Sequence, residues 1–300
     1  MRLLPPTVCA LALVAACGGR HDAPAPGAPA ASTPPADVTL GFDVNVDVAA
    51  GEETYVCVVY VLGALASAPL AGISWEPPTG ALAVHHISLY ALGNAPPPGP
   101  IDCSSRDWGL GPRFAIYTLG QSVLELPAGI ALRLPDGTQR IGAEVHVLRT
   151  AAGGDPPGKV VLHPAAAPPE HLAVWMEANV HVPDLPPHAV TSSTRRCAVG
   201  GDVHVVGAWP HMHKMGKLFD STLVRAKGDA SAFVHVEPWD FAHQVVYPKD
   251  VVLSAGDAID LTCTWDNTSD QTIHDGLYTS NEMCSFAFIA WPPESSRCVE

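Results

Sequence analysis

Apolar and polar residues alternate with period two from residue 38 onward. Val38, Leu40, Phe42, Val44, Val46 and Val48 are interleaved with Thr39, Gly41, Asp43, Asn45 and Asp47, which predicts a strand with one wet face over 38–48. A continuous apolar run over 55–62 predicts a central strand, and further strands are expected over 82–92, 130–134, 141–148, 160–162 and 172–182. Turn clusters such as Pro77-Pro78-Thr79-Gly80 and Pro135-Asp136-Gly137 separate them. After Pro183-Asp184-Leu185-Pro186-Pro187-His188 the same texture resumes over 202–209, 223–225, 232–236, 251–253, 258–264 and 285–291. Many short strands with Pro/Gly turns predict an all-β chain of two tandem jelly-roll sandwiches, 38–186 and 187–300. The coil over 94–111 holds Cys103 and is long enough to be a functional loop.

Composition agrees with the pattern. The 300 residues are long for one sandwich and natural for two, and 30 Pro with 26 Gly leave little room for long helices. A net charge of −14 argues against nucleic-acid partners and against a polybasic membrane surface.

The first 17 residues read as a targeting segment. Arg2 precedes the short apolar core Leu11-Ala12-Leu13-Val14-Ala15-Ala16, which is too short to span a bilayer. Val14-Ala15-Ala16-Cys17 resembles a bacterial lipobox, so Cys17 is the expected lipidation site. Gly18 after it favours outer-membrane over inner-membrane sorting. Residues 18–37, rich in Ala and Pro, form the expected tether. Export implies an oxidising compartment. Apart from Cys9 and Cys17, the chain has Cys57, Cys103, Cys197, Cys263, Cys284 and Cys298, an even set that predicts three disulfides with the pairing open.

The candidate chemistry centres on Trp209-Pro210-His211-Met212-His213-Lys214-Met215-Gly216-Lys217. On a strand, His211 and His213 project from one face and can chelate one metal ion. His204, His235 and His243 are further imidazoles within reach in sequence, and Met215 or Met283 could add a thioether. Two imidazoles with a soft sulfur favour copper over zinc. In the first half, His85 and His86 are adjacent, so both can ligate one ion only if the strand twists or ends there. His146, opposite in face to Val145 and Val147, is the third imidazole of that half.

The order His-His, lone His, His-x-His, Glu-Met-Cys resembles the copper type II, ascorbate-dependent monooxygenases, the group of peptidylglycine α-hydroxylating monooxygenase and dopamine β-hydroxylase. The likeness covers roughly residues 38–292. It is densest through His211-Met212-His213-Lys214-Met215-Gly216, Gln244 to Tyr247, Ala255-Gly256-Asp257, Cys263 to Asn267 and Glu282-Met283-Cys284. It implies one copper per sandwich. His85, His86 and His146 match the copper that passes electrons, and His211, His213 and Met283 match the copper at which O2 is used and a substrate C–H is attacked. It favours Met283 over Met215 and leaves His204, His235 and His243 as packing or surface residues. It also implies the pairs Cys57–Cys103, Cys197–Cys298 and Cys263–Cys284, the last fixing the Met283 loop to an adjacent strand. Ascorbate or a similar reductant, O2 and a small substrate are the implied partners, and the two copper sites are expected across an open cleft. The chain departs from the peptide-amidating members at Trp209, Ser285 and Ala287, where they carry Arg, Asn and Tyr as substrate anchors. Trp209, Ala287 and Ile289 are therefore expected as walls of an apolar pocket. Glu282, near the site in sequence, is read as a turn or supporting carboxylate. A copper carrier that kept the ligands but lost the chemistry is the alternative.

Overall fold

The computed structural model describes residues 36–44, 49–79, 82–94, 96–103, 111–149, 156–295 and 298–299. The signal segment, Cys17, nearly all of the tether and residues 45–48 of the first expected strand lie outside them. Pro34–Glu300 forms one unit by its internal contacts.

The first half contributes β1 (Val38–Phe42), β2 (Glu53–Val61), β3 (Leu70–Glu76), β4 (Leu82–Leu92), β5 (Gly99–Ile101), β6 (Arg113–Thr118), β7 (Val123–Glu125), β8 (Ile130–Leu132), β9 (Arg140–Arg149), β10 (Gly158–Pro164) and β11 (His171–Asn179). The second contributes β12 (Ala189–Val199), β13 (Val203–Met212), β14 (Gly216–Val224), β15 (Ala230–Val236), β16 (Tyr247–Leu253), β17 (Ala258–Asn267), β18 (Cys284–Trp291) and β19 (Cys298–Val299). Among the described residues the only helix is a 3₁₀ turn at Gly63–Ser67, so the chain is all-β as expected.

Alternation decides which residues of a strand enter a core; on β9 the other face is buried as well, with Glu144 and His146. On β9, Ile141, Ala143, Val145 and Val147 are fully buried and face Ile87, Leu89 and Phe114 in the first core. That core lies between the sheet β5-β2-β9-β4-β6 and the strands β1-β10-β3-β8. The second core, around Phe219, Trp265, Phe286 and Phe288, lies between β15-β14-β17-β12-β19 and β11-β18-β13-β16. One sheet runs through both halves, because β11 pairs in parallel with β8 on one side and antiparallel with β18 on the other.

Several strands escaped the hydrophobic pattern. β12 has only Cys197 and Val199 buried and is held by an unbroken ladder to β17. β14 begins at Gly216, well before its apolar end at 223. In the coil over 94–111, Gly99–Ile101 pairs with β2, and residues 104–110 lie outside the described set.

The three disulfides connect Cys57 to Cys103, Cys197 to Cys298 and Cys263 to Cys284, the pairing implied by the resemblance. The last differs from expectation in one respect. β17 and β18 are not neighbours in a sheet; Cys263 and Cys284 are buried in the second core and staple its two layers together.

Candidate metal centre

Five buried histidines meet where the two halves touch. His85, His86 and His146 come from the first half, His211 and His213 from the second, and none is more than 6% exposed.

A register shift resolves the His85-His86 problem. Val84 pairs with Val147 and His86 with His146, so His85 is the extra residue of a β-bulge in β4. The bulge turns both neighbours toward His146, with no strand end required. The Nδ1 atoms converge: His85 Nδ1 lies 3.1 Å from both His86 Nδ1 and His146 Nδ1. The three rings form a group whose ligand atoms all lie within 4.8 Å of one another. His146 Nε2 donates to Glu53 Oε2 at 3.1 Å, which leaves the Nδ1 lone pair on the converging side. Tyr55, opposite His146 on β2, stacks on it at 4.3 Å.

His211 is the next-to-last residue of β13, on the side shared with Ser285, its partner on β18, and His213 follows just beyond the strand. His211 Nδ1 donates to Gln244 Oε1 at 2.6 Å. Gln244 Nε2 donates to Phe241 O at 2.9 Å, which fixes the amide orientation. His213 Nδ1 donates to the Asn281 carbonyl at 3.1 Å. Both rings therefore carry their free lone pair on Nε2. His213 Nε2 is buried with no hydrogen-bond partner, as is His85 Nε2. Unpartnered buried ring nitrogens beside other imidazoles are what a metal ion would satisfy.

Burial sets the protonation. It pushes His85, His86 and His211 well below the ordinary histidine range and His213 down to about 4, with neighbouring imidazoles adding in the same direction. These rings are neutral at neutral pH, the state in which an imidazole can bind a metal. Glu282 goes the other way: burial raises its carboxyl to about 7, against the backbone N–H groups of Met215, His213 and Met283. Its oxygens accept from Met215 N at 2.6 Å and His213 N at 3.1 Å, so Glu282 folds the turn after β13.

Met283 stands just before β18 with the parity of Ser285, on the sheet side that carries His211. It is partly exposed and borders a cavity of about 290 Å³ with Asn179, His181, Asp275 and Ser285. Met215 packs against the second core. His204 and His235 pair with the carboxylates of Asp250 and Asp220.

The two histidine sets are not separated by an open cleft. His85 lies 6.0 Å from His211 and 5.7 Å from His213 between ring centroids, and it stacks on Phe241 at 4.6 Å. The first half reaches the second through Thr118 Oγ1, which donates to Gln244 O at 2.6 Å, and through Gln121, whose Oε1 accepts from Val246 N at 2.6 Å. Trp209 and Ala287, expected as pocket walls, are 1% exposed and pack with Ile116. Trp209 stacks on His211 at 5.0 Å, and its indole N–H points at Thr118 Oγ1. Ile289 does line a cavity, of about 500 Å³, together with Leu124, Leu126, Val206, Val246 and Gln121. Ser285 is buried opposite His211.

Glu53, Tyr55 and Phe241 were not legible as site residues in the sequence. Tyr55 and Glu53 sit in an apolar run and its flank, and Phe241 in a loop.

Comparison with known proteins adds the following. No curated protein matches the chain. Among solved structures, the major capsid protein P2 from Bacteriophage PM2 is 11% identical, over 87% of this chain and 100% of that one, at a TM-score of 0.34. Allantoicase is 11% identical over 75% of this chain and 81% of that one, at 0.22. These values are too low to bear on function. Residues 185–299 match the family model for the C-terminal domain of copper type II ascorbate-dependent monooxygenases, which spans His211, His213, Gln244 and Met283. The second half of the chain is thus similar to the C-terminal domain of the copper type II, ascorbate-dependent monooxygenases, and His85, His86 and His146 lie outside the matched residues.

Proposed function

We propose that the protein is a copper monooxygenase that hydroxylates a C–H bond of a small, apolar substrate, using O2 and a reductant such as ascorbate. His85, His86 and His146 would hold one copper, and His211, His213 and Met283 a second. The carrying observation is the ring-nitrogen arrangement: in His146, His211 and His213 the far nitrogen is fixed by a carboxylate, an amide or a carbonyl, so that the other faces a shared space. Copper at such sites supplies one-electron chemistry with O2, and a thioether beside two imidazoles favours its reduced form.

The chain's own residues do the rest. Gln244 and the Asn281 carbonyl hold His211 and His213 in one tautomer. Phe241 and Trp209 lie against His85 and His211 and keep water away from them. The cavity beside Val246 and Ile289 has the size and lining for a small apolar molecule, and Gln121 gives it a polar end. No Arg takes the place of Trp209 to grip a carboxylate, which argues against a C-terminal glycine substrate.

We further propose export and lipid anchoring through Cys17, on the membrane face away from the cytoplasm. Three disulfides are in keeping with that compartment. Loss of the protein from the membrane fraction on Cys17→Ala is the expected result.

The burial of all five histidines favours a second reading, a copper carrier that turns nothing over. One experiment separates the two. The purified protein is loaded with copper, and ascorbate-dependent O2 uptake is followed with candidate apolar substrates beside Met283→Ala and His146→Ala. The monooxygenase reading expects two coppers and product, with both variants inactive. Two coppers without coupled uptake would establish the carrier, and full copper and activity in both variants would remove the site assignment.

A further inference from the structure

The segment Leu277 to Met283 is tied to both histidine sets. At its start, the Tyr55 hydroxyl donates to Leu277 O at 2.8 Å. Thr279 N donates to Glu53 Oε1 at 3.0 Å, and Thr279 Oγ1 donates to Glu53 Oε2 at 2.9 Å. That same Glu53 Oε2 accepts from His146 Nε2 at 3.1 Å. At its end, Asn281 O accepts from His213, and the Glu282 carboxylate gathers the N–H groups of His213 and Met215. Met283 comes next. Glu53 thus lies 226 residues from Thr279 in sequence and joins the first half's imidazole to the loop that carries the second half's thioether.

A carboxylate with two oxygens and three donors has a narrow range of positions. If His146 shifts as it takes a ligand on Nδ1, Glu53 must follow or give up a bond, and Thr279 is held by both oxygens. Tyr55 reinforces the link, since it stacks on His146 and bonds the loop at Leu277.

We propose that Glu53 is a positioning residue for the second centre: it sets the placement of Met283 and so couples the state of the three-histidine site to the His211–His213–Met283 site. This rests on the reading that both sets bind copper. The coupling is reciprocal in free energy, so an ion at either site alters affinity at the other.

The test uses the full chain with Cu(I) alone as probe. Affinities come from competition with a chromogenic chelator, and the copper–sulfur contact is read by X-ray absorption. Wild type is compared with Glu53→Gln, which keeps the shape and loses the charge, and with Thr279→Val, which touches neither histidine set. Glu53→Gln is expected to weaken the second site about tenfold and to diminish the sulfur signal, although Glu53 is no ligand there. Thr279→Val is expected to shift both readouts in the same direction by less. If Glu53→Gln changes only the three-histidine site and leaves the sulfur signal intact, the proposal is overturned while the two-copper reading stands. If wild type binds no copper at one of the sites, both fail. Should Glu53→Gln not fold, as judged by its thermal transition, Thr279→Val decides: an unaltered second site overturns the coupling.

Discussion

At the scale of single residues, the site is governed by what holds the far nitrogen of each ring. Gln244 is 2% exposed, and hydrogen bonds to Phe241, Met212, Thr118 and Leu119 lock it in place. Its oxygen keeps the His211 proton on Nδ1. Gln244→Ala is expected to lower Cu(I) affinity at the second site by about 10–100-fold and to leave the three-histidine site unaltered, as read by chelator competition on single-site loading. Asp257 illustrates a different use of a buried carboxylate. It accepts from Ser254 N, Ala226 N and Arg225 in the turn before β17, and these contacts hold its pKa below the usual carboxylate range, the Ser254 bond first. The group stabilises the fold above its unfolded pKa, and that contribution disappears as pH falls through the lower folded value. Asp257→Asn should therefore lower the melting temperature at pH 7, with the difference from wild type shrinking below about pH 4.

Among the elements, β4 and β18 carry the most. The bulge in β4 is the device that turns two adjacent histidines toward His146, and it depends on pairing with β9 rather than on any local signature. β18 presents Ser285 and Ala287 on the side of His211 and Trp209, and Cys284, Phe286 and Phe288 toward the second core. The Cys263–Cys284 bridge anchors the start of β18 across that core, with a sequence separation of 21. The Cys263→Ala/Cys284→Ala double variant is expected to lose about 3 kcal/mol in urea unfolding, the usual value for a loop of this size. Loss of stability without any change in the three-histidine site would show that the two cores share no further dependence on this bridge.

For the whole molecule, one buried ion pair of the first half borders its contact with the second. Beside the site, Arg113 on β6 makes an ion pair with Glu177 on β11 and lies 5.8 Å above the Trp209 ring. Trp175 Nε1 donates to the same carboxylate at 2.7 Å. The pair is largely buried, so removing one partner strands the other. Arg113→Ala is expected to destabilise the protein by about 3 kcal/mol, and Arg113→Met combined with Glu177→Leu to recover most of it, as measured by thermal unfolding. Equal losses in both variants would mean that shape rather than charge holds this contact.

The sequence by itself determined a good deal. Period-two alternation gave the all-β class and most of the long strands, because a half-buried strand writes its burial directly into residue order. The even cysteine set pointed to three disulfides, and spacing singled out His211 with His213. Resemblance, not spacing, brought in Met283 and the cysteine pairs. Tertiary structure alone decided the rest. Polar strands such as β12 exist because β17 offers a full ladder of backbone partners, which no side-chain pattern records. The bulge at His85 exists because β9 has one residue fewer at that point. Contacts such as Glu53 with Thr279 and His85 with Phe241 join residues far apart in the chain, and only the docking of the two halves brings them within reach. That docking replaced the expected open cleft with a buried cluster of five imidazoles. Local patterns specify faces of strands, whereas the meeting of two faces is settled by packing over the whole molecule.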